Sequence, residues 1–281
     1  MSDYAPDWVV PVMRAGYLSR AVVYAVVGGL ALVAAIRGGE AEGTTDALAE
    51  LQAHWWGTPL LWLIAAGLIA YLVWRLVDAA LDLEAYGHGA KGVVARAGLV
   101  VTGVIHGAIG VAVAGVALRG ADGGSGGTQT MTAKLMAMPF GPWLVGLVGL
   151  GTIGAGIYYA YKGISEKYKA HIRVTSTTQR LDPVLKFGCI AQGVVIGVIG
   201  VLICYAAVTA DAQAAGGVGE ALGKIRAAPY GWILLGVTAV GLMAFAVENA
   251  VEGLYRVIPR CDGPDVMTLA RRAKLAAQGA L

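Results

Sequence analysis

Residues 186–209 read KFGCIAQGVVIGVIGVLICYAAVT, a stretch whose only charge stands at its first position. As a helix rising 1.5 Å per residue it is long enough to cross a hydrocarbon core of ~30 Å. Comparable apolar runs fall at 15–36, 57–81, 96–118, 140–163 and 230–257. None alternates in the way a membrane strand does, and only helices or closed barrels satisfy their backbone groups in lipid. The whole chain agrees: of 281 residues, 57% are hydrophobic, only 14% are charged, and the mean hydropathy is +0.67. A soluble domain carries about 25% charged residues. That deficit excludes a water-facing globule and predicts a polytopic membrane protein.

The quoted stretch opens on Lys186-Phe187-Gly188, and this basic-x-Gly start recurs at Arg14-Ala15-Gly16 and Arg96-Ala97-Gly98. Farther along, Trp56-Gly57, Phe140-Gly141 and Tyr230-Gly231 match one another, each opening the second helix of its unit. A short amphipathic segment precedes each match, at 46–52, 132–138 and 220–226. Self-similarity of this kind marks a repeat architecture. The unit reads helix, polar loop, short interfacial helix, aromatic-Gly turn, helix. An even number of crossings keeps the units in one orientation, related by an axis along the membrane normal. The expected fold class is all-α: a polytopic membrane helical bundle, six transmembrane helices in three parallel two-helix repeats with pseudo-three-fold symmetry. Its divisions are an N-terminal segment at 1–13, repeats at 14–87, 88–171 and 172–258, and a tail at 259–281.

The triplicated helix pair, the basic-x-Gly start and the Pro-aromatic-Gly turns (Pro139-Phe140-Gly141, Pro229-Tyr230-Gly231) resemble the bacterial family catalogued as domain of unknown function 1206. The resemblance runs from about Arg14 to Arg256, and the first repeat departs from it with Trp55-Trp56-Gly57. It implies a bacterial inner-membrane protein built of three two-helix units, and it brings no assigned activity.

Most of the 21 Lys and Arg residues fall on the N-terminal side, the second and fourth connections and the tail. The opposite side holds Arg37, Arg119, Lys134, Lys224 and Arg226. The positive-inside rule then places both termini in the cytoplasm, with Trp55, Trp56, Trp143, Tyr230 and Trp232 as an aromatic belt at the outer interface. The first 13 residues hold Asp3 and Asp7 and no basic group, so they make a poor signal-peptide start. Lys167, Lys169, Arg173 and Arg180, with Arg271, Arg272 and Lys274 of the tail, would face the anionic inner leaflet at about 1 kcal/mol per basic group. Residues 264–281 read either as an amphipathic interfacial helix with Val266, Leu269 and Ala273 on one face or as a frayed terminus.

Small residues line one face of the first helix in each unit: Ala21/Ala25/Gly28, Gly103/Gly107/Gly110 and Gly193/Gly197/Gly200. Spacings of four and three keep them on one side. Small residues let backbones approach closely in lipid, so three odd-numbered helices meeting near the axis is one reading. A narrow pore walled by backbone is the other.

Polar groups inside spans are costly and often functional. Aligned positions beside the small face hold Arg20 and Tyr24, then Thr102 and His106, then Gln192 and Ile196, while Glu248 and Asn249 reach a similar level on the sixth helix. Arg20–Glu248 is the expected buried ion pair, since each charge there needs a partner. The cluster is either a satisfied knot that fixes register or a proton or small-solute site using Arg20, His106 and Glu248. Arg75 with Asp78, Lys162 with Glu166, and Glu248 with Glu252 read as ion pairs at helix ends.

No cofactor, metal or nucleic-acid signature emerges. The stretch DGGSGG at 122–127 lacks the Lys-Ser/Thr of a P-loop. Its GGSGG around Ser125 matches GxSxG only formally, without the strand before and helix after that an elbow needs. His54, His88 and His171 lie in loops without HExxH or cysteine partners. Cys189 and Cys204 are too far apart on one helix to bridge. No basic run interleaved with aromatics suggests nucleic acid. The functional expectation is a structural or accessory subunit packing through Gly-rich helices, above all 146–156 on the fourth, where Gly149 and Gly154 would meet another helix. The alternative is a small channel or carrier for protons or a small solute.

Overall fold

Each apolar run becomes one long helix in the computed structural model, which describes residues 6–39, 43–119, 127–262 and 266–278. In chain order the helices are α1 (Val9–Arg37), α2 (Thr44–Ala49), α3 (Gly57–Leu81), α4 (Ala90–Arg119), α5 (Gly127–Met136) and α6 (Gly141–Ile164). They continue with α7 (Ser176–Arg180), α8 (Asp182–Thr209), α9 (Val218–Ala227), α10 (Gly231–Tyr255), α11 (Pro259–Asp262) and α12 (Leu269–Ala277). The six long ones, α1, α3, α4, α6, α8 and α10, are apolar enough to cross a membrane. The chain is therefore a multi-pass membrane protein, with the start of α1 and the end of α10 on one face, the terminal face. Ser125 lies outside the described residues.

Helix α1 starts six residues before its apolar run because Pro11 falls in the first turn, where its missing N–H costs nothing. The short helices α2, α5 and α9 sit on the distal face, each running into an aromatic-Gly turn. The glycine there is dictated by a carbonyl. A Cβ on Gly57 would lie 1.7 Å from Leu51 O, on Gly141 2.3 Å from Met136 O, and on Gly231 1.7 Å from Arg226 O. In the second and third repeats the aromatic before it is left-handed, Phe140 at φ 60° and Tyr230 at φ 56°. Trp56 instead has φ −91°, which is the structural face of the first repeat's departure from Pro-aromatic-Gly.

The spanning helices form a ring. Between repeats, α1 packs on α10, α3 on α4, and α6 on α8; within repeats, α1 packs on α3 and α8 on α10. This is the pattern of a three-fold arrangement of helix pairs, and it breaks at one place: α4 and α6, the pair of the second repeat, form no comparable seam. Toward the distal face the interior is apolar, filled by Val27, Ala31, Leu61, Ile64, Val113 and Leu235 together with Ala47 of α2 and Leu222 of α9.

The small-residue faces do not meet near the axis, which corrects that expectation. Each packs on the second helix of the preceding repeat. Cβ atoms built on Gly103, Gly107 and Gly110 would touch Arg75, Leu72 and Leu68 of α3 at 2.8, 2.6 and 3.0 Å. Cβ atoms on Gly193 and Gly200 would lie 2.6 Å from Ala160 N and Ile153 N of α6, and one on Gly156 of α6 would lie 2.7 Å from Gly197 N. Gly28 lies against Ala239 and Met243 of α10. Ala21 is buried, whereas Ala25 is exposed in a groove beside α2. Glycines here close seams between helices, and among the described residues the distal interior is filled by apolar side chains.

On the terminal face the fourth connection and the tail are tied together. Arg173 N donates to Tyr255 O at 2.8 Å, Val174 N to Met267 O at 3.0 Å, and Leu269 N to Ile172 O at 2.9 Å. Leu269 is buried with Tyr168, Ile172 and Leu185. Helix α12 is thus pinned at its start, and its Arg271, Arg272, Ala273 and Lys274 are exposed. Of the three residues expected on one face, Leu269 turns into the protein and Ala273 does not.

Candidate functional site

One polar centre, in the half of the bundle nearer the terminal face, draws a side chain from every spanning helix. Arg20 of α1 is 3% exposed. Its Nη1 donates to Tyr71 Oη of α3 at 2.7 Å, and its guanidinium stands 4.5 Å from the Tyr71 ring centroid. The rings of Tyr17, Tyr24 and Phe245 of α10 surround it at 5.8 to 5.9 Å. His106 of α4 meets Tyr71 with ring centroids 5.0 Å apart, and Tyr159 of α6 meets Phe245 at 5.8 Å. Gln192 of α8 donates through Nε2 to Tyr24 Oη at 3.0 Å. Stacking a guanidinium on aromatic faces stabilises it by up to about 2 kcal/mol when desolvated. That offsets only part of the cost of burying a charge.

Toward the terminal face lies a chain of alternating charges. Lys162 Nζ meets Glu248 Oε1 at 2.9 Å and Glu252 Oε1 at 3.5 Å. Glu252 in turn pairs with Arg256, and Arg256 with Glu84. Glu84 lies 3.6 Å from Arg75, and Arg75 3.2 Å from Asp78. Arg75 also donates to Tyr17 Oη at 2.6 Å and to Tyr71 Oη at 2.9 Å, which joins the chain to the polar centre. These charges come from α3, α6, α10 and the segments after α3 and α10, so the network laces first, second and third repeats together. Burial pushes the Glu84 carboxyl up, but the guanidiniums of Arg256 and Arg75 outweigh it and hold the group below the usual carboxylate range.

Of the residues expected at the centre, Arg20, Tyr24, His106 and Gln192 are brought together. Thr102 turns its hydroxyl back to Gly98 O at 2.8 Å, and its own carbonyl pairs with His106 Nδ1 at 2.8 Å. Asn249 donates to Phe245 O of its own helix at 2.8 Å. The Arg20–Glu248 pair does not form: Glu248 is taken by Lys162 and by the Cys189 thiol, which donates at 3.7 Å. The short side chain of α10 meets the long ammonium reaching from α6, and Arg20 is left with phenols. Glu166 likewise pairs with Lys169 and Lys186, at 2.7 and 3.2 Å, in place of Lys162. Tyr71, Tyr159, Glu84 and Arg256 were not singled out from sequence. A signal existed: Arg75, Tyr159 and Asn249 occupy matching positions after the turn glycines of α3, α6 and α10.

The second repeat is where the pattern opens. At Gly16 and Gly188, glycines of the basic-x-Gly starts, a Cβ would lie 2.6 Å from Tyr71 Cα and 2.5 Å from Phe245 N. A Cβ on Gly67 or Gly241 would stand 1.7 Å from Ser19 Oγ or 2.2 Å from Ala191 Cβ. A Cβ on their counterparts Gly98 and Gly151 would meet no other element within 4 Å. Val101, equivalent to Ser19 and Ala191, is 58% exposed, against 8% and 7% for those two. The second repeat keeps both glycines of a helix seam and leaves them uncovered. On α6, Gly154 is uncovered too, whereas Gly149 and Gly156 are occupied against α8. That divides the Gly-rich stretch expected to meet another helix: Gly149 is a seam residue, where a Cβ would lie 2.5 Å from Cys204 Sγ, whereas a Cβ on Gly151 or Gly154 would meet nothing.

These features define a class: an integral membrane helical bundle of three tandem helix pairs with a buried charge network. The chain belongs to the family described as Domain of Unknown Function (DUF1206), whose model matches three times, at residues 15–82, 97–166 and 187–256. It is 30% identical over 256 residues, covering 89% of this chain and 92% of the relative, to an uncharacterized protein, YxxB, of Bacillus subtilis (strain 168). No solved structure matches.

Proposed function

We propose that the protein is an accessory subunit of the bacterial inner membrane, whose open second-repeat seam receives a transmembrane helix of another membrane protein. The observation that carries this is the pair Gly98 and Gly151, uncovered where their counterparts in both sister repeats are closed by a neighbouring helix. Close backbone approach at small residues is what drives helix association in lipid. The flanking Val101, Val104 and Ile105 of α4 are all more than half exposed and supply apolar flanks. Both termini are cytoplasmic in this reading, supported by the basic residues of the terminal face, with α12 lying toward the anionic leaflet through Arg271, Arg272 and Lys274. Purification from native membranes in gentle detergent, with mass spectrometry of stoichiometric companions, tests it. Wild-type protein is expected to retain a membrane partner that Gly151→Leu and Gly154→Leu both lose. A solitary particle, or a partner indifferent to both substitutions, overturns the reading.

A further inference from the structure

We propose that the polar centre of the bundle is a binding site for a small carboxylate, received by the guanidinium of Arg20. The case begins with what Arg20 lacks. Among the described residues, no carboxylate stands within ion-pair distance of it; Glu248 and Glu252 are held by Lys162 and Arg256, Glu84 by Arg256 and Arg75, and Asp78 by Arg75. Arg20 Nη1 is used on Tyr71, while Nε is buried without a hydrogen-bond partner. The Nε edge of a guanidinium is one of the two that bind a planar carboxylate by paired N–H···O bonds. A buried charge left without its counter-ion is strongly destabilising.

Gln192, whose Nε2 donates to Tyr24 Oη beside Arg20, also leaves its Oε1 buried and unpartnered; an amide oxygen only accepts, so it calls for an ordered water next to the guanidinium rather than for the carboxylate itself. Buried polar atoms are rarely left so in native structures, and those that are call for a ligand or ordered water. The centre is also reachable from the side of the second repeat: His106 and Tyr159 are partly accessible, while Tyr24 closes it against the apolar filling toward the distal face. The uncovered α4–α6 seam runs beside His106 and Tyr159, so a carboxylate can come from water or as the head of an amphiphile from the bilayer. The partner helix proposed above would cover this same seam, so binding is measured on the isolated protein, in which the seam stands open.

The test uses full-length protein in lipid nanodiscs, titrated with propionate and separately with decanoate at constant ionic strength, binding being followed by saturation-transfer NMR. Saturable binding is expected, weakened at least tenfold by Arg20→Gln and less by Arg20→Lys, which keeps charge but loses the fork. Propionate alone binding identifies a solute site, and decanoate alone an amphiphile from the bilayer. A diazirine analogue of whichever acid binds should label α1, α4, α6 or α8 of the wild-type protein around the centre. That arm decides the matter even where Arg20→Gln does not fold. No saturable binding of either acid, unchanged affinity in a folded Arg20→Gln protein, or labelling confined to the distal half overturns the proposal.

Discussion

Alanine placed at Gly67, Gly151 and Gly241, three equivalent positions on α3, α6 and α10, should have opposite consequences. In a helix interior Ala is favoured over Gly by about 0.8–1.0 kcal/mol. At Gly151 nothing stands within 4 Å of the new Cβ, so that gain is expected nearly whole. At Gly241 the Cβ would stand 2.2 Å from Ala191 Cβ, against an ordinary carbon contact of about 3.5–4.0 Å. Ala191 has no side chain to turn aside, so α8 and α10 must part, at a cost of about 1–3 kcal/mol typical of overpacking. The propensity gain is common to both variants and cancels, so they should differ by the strain at Gly241 alone, about 1–3 kcal/mol. Gly67→Ala falls between them: its Cβ meets Ser19 Oγ at 1.7 Å, which can rotate away, leaving Ala15 O at 3.1 Å. Equilibrium unfolding in mixed micelles, followed by circular dichroism, measures all three. A Gly151→Ala protein destabilised as much as Gly241→Ala would show that α4 and α6 pack together in the membrane, and the open seam would be refuted.

Other outcomes follow from the same geometry. Glu84→Gln removes the carboxylate between Arg256 and Arg75 and should cost about 3–5 kcal/mol, as for other broken buried pairs; unfolding that shifts by less than about 1 kcal/mol contradicts its bridging role. Stability should fall in two stages as pH drops. Burial, then Arg256, hold His171 below its ordinary value, so the unfolded chain binds its proton first and stability declines below about pH 6.5. Glu84, held below the carboxylate range by Arg256 and Arg75 against the opposing push of burial, adds a loss beginning below about pH 4.3; melting curves across this range check the order. Gly149→Leu, aimed at Cys204 and at its backbone N at 2.8 Å, should unfold the protein, while Gly154→Leu leaves the melting temperature near that of wild type.

Much of the architecture was legible in the chain. Apolar length located all six spans, and at α3 the bounds agree to the residue, Gly57–Leu81. The repeated Trp56-Gly57, Phe140-Gly141 and Tyr230-Gly231 located the turns because one backbone carbonyl excludes a Cβ at each. The polar centre was half legible. Arg20, Tyr24, His106 and Gln192 share a level on aligned helices, and level is what sequence spacing fixes. Their partners were not, since Tyr71, Tyr159 and Phe245 reach in from helices whose rotation depends on packing.

What the sequence alone determined is whatever follows from composition along one helix: membrane residence, six crossings, three like units, and the glycines that permit close approach. Pairing across helices was decided only by tertiary structure. Whether Arg20 meets Glu248 depends on which of Glu248's neighbours arrives first, and the ammonium of Lys162, 2.9 Å away, occupies it. Whether Gly151 is covered like Gly67 and Gly241 depends on how the ring closes, and the same glycine in the same place in each unit carries no trace of that choice. Local chemistry repeats three times in the chain; the asymmetry that singles out the second repeat exists only between helices.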